Sequence, residues 1–239
     1  MIDEKEILIF TACYNEAENI EKLIKGIKKC LPTSSILIID DNSPDKTQHK
    51  ITELKKEINK LNLIVREKKM GLDTAHKLAY EFAVKQKFKY LITMDADLSH
   101  DPKEIINFVN YLSEFPFVIG SRYIKGGNCL MSGKRLIMSK FGNNLIKKVL
   151  QINSNEFTTS YRGFNLSKLK NFHLNQVNNK GYSFFMGTLF EIDRLGFKIK
   201  EIPIIFKDRQ KGLSKIPKIE IFRTMKNLFI LFLKKKIKF

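Results

Sequence analysis

The chain has 239 residues, 43% of them hydrophobic, with a formal charge of +18, 12 Gly, six Pro and no tract of biased composition. That content suits one large domain, or one domain with an appendage, and excludes a disordered chain or a repeat array. The charge suits a nucleic acid or an anionic membrane surface, yet only seven of the 43 basic residues are Arg, and Lys in such excess makes chiefly a solvated surface.

Three cysteines, Cys13, Cys30 and Cys129, are odd in number and widely spaced. They fit no disulfide framework or zinc pattern and point to a reducing compartment. Met1 to Glu6 is acidic and leads straight into a strand, so no leader segment is expected. No apolar run approaches the ~20 residues of a membrane span. The longest near the end is Leu228 to Leu233.

Glu6 to Thr11 reads as a first strand, and Ile20, Leu23, Ile24 and Ile27 at i, i+3, i+4 and i+7 predict a helix after it. Ile36 to Ile39 is a second strand, ending at Asp40-Asp41-Asn42-Ser43-Pro44, and the next helix carries Ile51, Leu54, Ile58 and Leu61 on one face. Leu63 to Val65 is a third strand; Thr74 to Lys85 is a third helix with Ala75, Leu78, Ala79 and Phe82. Tyr90 to Met94 is a short, β-rich apolar run that reads as a buried strand. A helix with Ile105, Ile106, Val109 and Leu112 and a strand Phe117 to Gly120 follow. This alternation predicts an α/β fold: a mostly parallel central sheet, helices on both faces and right-handed crossovers.

After residue 122 the pattern changes. A glycine turn precedes a helix marked by Leu136, Ile137, Phe141, Leu145 and Val149, and Thr158 to Phe164 reads as a loop and short strand. A helix from Phe184 to Leu195 leads to a strand at Ile199 to Phe206, and Lys207 to Lys215 is polar. Residues 1–215 are expected to form the main α/β domain and 216–239 an amphipathic C-terminal helix, with Phe222, Met225, Phe229 and Phe232 at helical spacing and Lys234 to Lys236 at its end. Either a membrane interface or the domain's own core would accept that apolar face.

The fourth strand carries the chemistry. It ends in Asp95 and Asp97, one small residue apart. Ligands of open α/β sheets collect beyond the carboxyl ends of the strands, and two acids there suit a hard divalent cation that also holds substrate phosphates. Helix capping has its own candidate in Asp101, followed by Pro102 and Glu104. No G-x-x-x-x-G-K-[ST] and no G-x-G-x-x-G follows the first strand. A nucleotide held through a metal is therefore favoured over a dehydrogenase or P-loop site.

Seven motifs resemble those of family 2 glycosyltransferases, and most closely the dolichol- or polyprenyl-phosphate mannose synthases. They are Tyr14-Asn15-Glu16; Asp40 to Asp45; Lys69 with Gly71-Leu72; Met94 to Pro102; Gly120-Ser121-Arg122-Tyr123; Thr159-Ser160-Tyr161-Arg162; and Asp208-Arg209 with Gly212 and Ser214-Lys215. The resemblance implies a GT-A nucleotide-diphospho-sugar fold and inverting transfer of a hexose, mannose from GDP-mannose favoured, to a polyprenyl phosphate. It implies that Tyr14, Glu16, Asp41 and Lys69 hold the donor, and that Asp95 and Asp97 hold Mg²⁺ or Mn²⁺ and the diphosphate. Ser99 stands where some relatives use Gln as a metal ligand. Arg122 and Arg135 would meet the lipid phosphate, and Arg209 would sit on a loop closing over the site. Arg122, Arg162 and Arg209 all fall inside motifs of a Lys-rich chain, a placement that suggests phosphate forks.

The chain departs from that pattern at four places. Ala12-Cys13 displaces a proline, Asp73 replaces the second glycine of G-L-G and puts an extra acid near the donor, Gly187 stands where relatives carry an acid, and position 99 is Ser. A phosphate acceptor is already anionic at neutral pH, its second pKa being about 6, and needs no strong general base. His76, His100 and His173 are then not needed as catalysts. The implied partners are a sugar nucleotide, a polyprenyl phosphate and a membrane surface, met peripherally on its cytoplasmic face, with room for a separate membrane-anchoring partner. Two other readings stand beside this one. A sugar-hydroxyl acceptor would require a catalytic carboxylate near that hydroxyl. A basic nucleic-acid-binding module would require exposed aromatics and a motif that the chain lacks.

Overall fold

The computed structural model describes residues 2–131, 133–207 and 219–237. Five strands and four helices alternate first: β1 (Ile7–Cys13), α1 (Ile20–Cys30), β2 (Ser35–Asp40), α2 (Thr47–Glu57), β3 (Leu61–Val65), α3 (Leu72–Lys85), β4 (Tyr90–Asp95), α4 (Ile105–Leu112) and β5 (Phe117–Ser121). The second part adds β6 (Asn128–Cys129), α5 (Gly133–Leu150), β7 (Arg162–Asn165), α6 (Ser183–Arg194), β8 (Ile199–Pro203), β9 (Ile205–Phe206) and α7 (Ile219–Lys236). Seven strands form one sheet in the order β3-β2-β1-β4-β7-β5-β8, while β6 and β9 pair separately. Every pairing in the main sheet is parallel except those of β7, which runs antiparallel between β4 and β5.

Because strands alternate their side chains, each central strand feeds two cores. From β1, Ile7 and Ile9 join α1, α2 and α4 on one face; Leu8 and Phe10 join α3, α5, α6 and α7 on the other. The chain leaves β1 toward β2 and β3, then crosses back to β4 on the other side of β1. That reversal opens a crevice at the carboxyl ends of β1 and β4, the place where open α/β sheets bind ligands.

One expectation about the elements is corrected, and two helices show which face meets the core. Leu61 opens β3 instead of extending α2: the helix stops at Glu57, and Lys60 takes a positive φ of 61° that turns the chain into the strand. On α5 the core face is Asn143, Ile146 and Leu150, whereas Ile137 and Phe141 are exposed. α7 has two apolar sides. Leu228 and Leu231 join the main core, while Phe222, Met225 and Phe229 are 77%, 49% and 61% exposed. The expected boundary between residues 215 and 216 lies outside the described residues.

Candidate active site

At the end of β4, Asp95 is half-buried and Asp97 is buried. Leu98 between Asp97 and Ser99 takes a positive φ of 62°, which turns the Ser99 N–H and hydroxyl onto Asp97 Oδ1 at 3.1 and 2.6 Å. Ser99, expected as a metal ligand, is fully buried and gives its hydroxyl hydrogen to this carboxylate. Asp95 Oδ1 accepts the Ser160 hydroxyl at 2.5 Å. Asp101 caps the following turn as expected, accepting the Lys103 N–H, and also pairs with Lys207 Nζ at 2.9 Å. Among the described residues no group of three or more His, Cys, Asp and Glu forms a metal cage. Two carboxylates without a cage match a hard cation that keeps water and substrate phosphates as its other ligands.

Across the crevice, the acids after β2 divide their work. Asp40 is fully buried and accepts from the Ser43 N–H and hydroxyl and from Gln48, with the Cys13 thiol 3.2 Å away. Burial, then the Asp40 charge, push that thiol's pKa well up. Asp41 receives Arg66 and the Met70 N–H, and Arg66 goes on to Thr74 Oγ1 and the Gly71 carbonyl. Arg66 thus ties Asp41 to the glycine loop, a role the motif reading did not give it. Lys69 stands over the Tyr14 ring at 4.7 Å, and buried Glu16 accepts from Asn19. Asp73, expected as an extra acid at the donor, is buried and accepts the Gly181 N–H at the start of α6.

The arginines differ most from expectation. Arg122 directs Nε and Nη2 onto both oxygens of Glu156, at 2.6 and 2.7 Å, with Nη2 also on Thr158. Burial opposes the Arg122 charge, but Glu156 outweighs it and the guanidinium's pKa is raised; burial likewise opposes the Glu156 charge, yet Arg122 holds that carboxyl below its usual range. The fork expected to grip a lipid phosphate is therefore filled by a carboxylate of the same chain. Arg162 makes no phosphate fork either: it is 1% exposed and donates to the carbonyls of Thr159, Phe185 and Phe157. Burial lowers its pKa to about 9. Arg135 sits exposed in the first turn of α5, and Arg209 lies outside the described residues. Glu156 had no motif to announce it; a lone acid in a polar run carries no spacing signal.

A cavity of about 370 Å³ opens beside this pair, between the 122–127 turn and α5, lined by Arg122, Tyr123, Lys140, Asn143, Asn144 and Lys147 among others. Gly187, where relatives would carry an acid, packs under Asn179: a Cβ there would meet Asn179 Oδ1 at 2.1 Å, so a larger residue requires the Asn179 side chain to move.

The sequence profile described as Glycosyl transferase family 2 matches residues 8–172. The chain is 30% identical over 221 residues to the polyprenol monophosphomannose synthase of Mycolicibacterium smegmatis, covering 91% of this chain and 83% of that protein. It is 29% identical over 211 residues to the undecaprenyl-phosphate mannosyltransferase of Micrococcus luteus, covering 88% and 87%. Its fold superposes on glucosyl-3-phosphoglycerate synthase from Mycobacterium tuberculosis, solved with Mn²⁺, UDP and glucosyl-3-phosphoglycerate, with a TM-score of 0.67 at 16% identity over 95% of this chain and 78% of that one. The mostly parallel sheet, the acids at the ends of β2 and β4 and the profile match over most of the chain agree: this is a GT-A glycosyltransferase, and it belongs to glycosyl transferase family 2.

Proposed function

We propose that the protein transfers mannose from GDP-mannose to a polyprenyl phosphate with inversion, using a divalent cation, Mg²⁺ or Mn²⁺, at Asp95 and Asp97. The observation that carries this is the pair of carboxylates at the β4 end, facing Asp41 and Arg66 across the sheet's reversal point in a chain so similar to two polyprenyl-phosphate mannosyltransferases. When bound, the cation would draw charge from the leaving diphosphate. The chain's own residues orient. Ser99 and Ser160 hold the two carboxylates, and the Asp41–Arg66–Gly71 link shapes the nucleoside end, where Tyr14, Glu16 and Lys69 border the donor. The Arg122–Glu156 pair is neutral as a unit, so attraction of the acceptor phosphate falls to Arg135, Arg209 and the lysines of α5.

The lipid acceptor requires an interface. No helix among the described residues is long and apolar enough to cross a membrane. α7 turns Phe222, Met225 and Phe229 to solvent above Lys234 to Lys236, and α5 turns out Ile137, Met138 and Phe141. Apolar residues joined to lysines suit peripheral binding at anionic headgroups. We place the protein on the cytoplasmic face, where three free cysteines stay reduced.

The test is product analysis with a panel of labelled sugar nucleotides and polyprenyl phosphate. Mannosyl lipid from GDP-mannose is expected, with Asp97→Asn lowering turnover by roughly 10³-fold, the scale of losing a charge-stabilising group. Full activity in excess chelator would remove the metal from this reading, and transfer only to a sugar hydroxyl would overturn the acceptor.

A further inference from the structure

His100 is 1% exposed and stands directly behind the two carboxylates. Its Nδ1 accepts the backbone N–H of Asp95 at 3.1 Å. The β4–β7 ladder stops at Thr93 and Arg162, two residues short of Asp95, and the ring takes that N–H in place of a strand partner. A neutral imidazole accepting at Nδ1 carries its hydrogen on Nε2, and Nε2 lies 3.2 Å from Thr159 Oγ1. The ring is held between Tyr161 (centroids 4.8 Å apart) and Phe206 (5.6 Å). The residue after Thr159 is Ser160, whose hydroxyl meets Asp95 Oδ1. Asp95 is therefore gripped twice from one loop: through its backbone by His100 and Thr159, and through its side chain by Ser160.

We infer that His100 is a positioning residue: it fixes the backbone of Asp95 against the 156–162 loop, so that the carboxylate is set for the cation of the donor diphosphate before either arrives. This rests on the reading of Asp95 and Asp97 as the cation site. His100 touches neither donor nor acceptor in this account; it acts through Asp95. Ordering a ligand in advance is what partners behind a metal site contribute, and losing one typically lowers metal affinity by roughly 10–100-fold.

The test loads the full chain with Mn²⁺ and GDP and counts free Mn²⁺ by its paramagnetic resonance signal, with melting followed alongside. His100→Phe keeps the ring between Tyr161 and Phe206 and loses both polar contacts; its Mn²⁺ affinity should fall by about 10–100-fold. His100→Asn places an acceptor near the position of Nδ1 and should recover most of that loss. His100→Gln reaches the position of Nε2 instead and should stay weak. A purely structural histidine would give lower melting temperatures with unchanged Mn²⁺ affinity in the folded fraction. Equal affinity in wild type and the Phe variant, or in the Asn and Gln variants, overturns the inference, and the Asn–Gln comparison decides it if the Phe variant does not fold. If the wild-type chain binds GDP but no Mn²⁺, the cation reading falls and this inference with it. If wild type binds Mn²⁺ and every variant matches it, only the inference falls.

Discussion

α1 and α7 are read by the same periodic rule and end in opposite situations. In α1 all four expected residues, Ile20, Leu23, Ile24 and Ile27, are fully buried against the sheet. In α7 three of the four, Phe222, Met225 and Phe229, face solvent, and the core contact comes from Leu228 and Leu231 on the other side. The halves of the site repeat the contrast. The acids of the first half stand at the strand ends where alternation places them, while two motif arginines of the second half are spent on Glu156 and on backbone carbonyls. Periodicity shows that a helix has an apolar face, and a motif shows that a cation is wanted. Neither shows what will meet it.

The sharpest way to break this contrast is at the Arg122–Glu156 pair. Glu156→Gln leaves a buried guanidinium without its counter-charge, and urea unfolding should show a loss of about 3–5 kcal/mol. A loss below ~1 kcal/mol would mean that Arg122 is free to turn toward a ligand after all.

The two sides of α7 can be separated next. Leu228→Ala should cost about 2–5 kcal/mol of stability, as Leu23→Ala should on α1. The double change Phe222→Ser and Phe229→Ser should leave melting almost unmoved, yet lower affinity for anionic vesicles by at least about a hundredfold, if both rings enter the interface. Binding should weaken with salt without vanishing, because only the lysine contribution is screened. A double variant that unfolds, or that sediments with vesicles like wild type, would make α7 an ordinary core helix like α1.

A pH titration sharpens the first half. His76 on α3 lies among Phe10, Phe184 and Phe185, and burial, with the Arg162 charge behind it, lowers its pKa to about 3. In the unfolded chain the value is about 6.5. Between those values the unfolded state binds the proton and the native state does not. Stability is therefore undiminished above about pH 6.5 and falls by roughly 1.4 kcal/mol per pH unit below it. His76→Phe should flatten that part of the acid limb and leave transfer intact. An unchanged slope would place the acid sensitivity elsewhere.

The smallest effect is expected at Asp101, where sequence pattern and structure agree. Asp101→Ala should cost about 0.5–2 kcal/mol, measured by thermal melting, and largely spare turnover.

What could be read from the residues followed from how local the cause was. The strands and helices up to β5, the acids at the ends of β2 and β4, the cap at Asp101 and the order of the motifs all rest on contacts within a few residues, or on a single repeat matching a single face. Positive φ at Lys60 and Leu98 already exceeds that reach: the first cut α2 short and opened β3 at Leu61, and the second turned Ser99 back onto Asp97. By itself the sequence determined the α/β alternation, the parallel sheet and the carboxylate pair, because alternation of side chains and the carboxyl-end rule need no partner to be known. Tertiary structure alone decided that Glu156 takes Arg122 across 34 residues, that Ser160 reaches Asp95 across 65 and that Asp73 serves Gly181 across 108. A buried charge or donor must be satisfied by whatever polar group the fold brings within about 3 Å, and spacing along the chain holds no record of that neighbour.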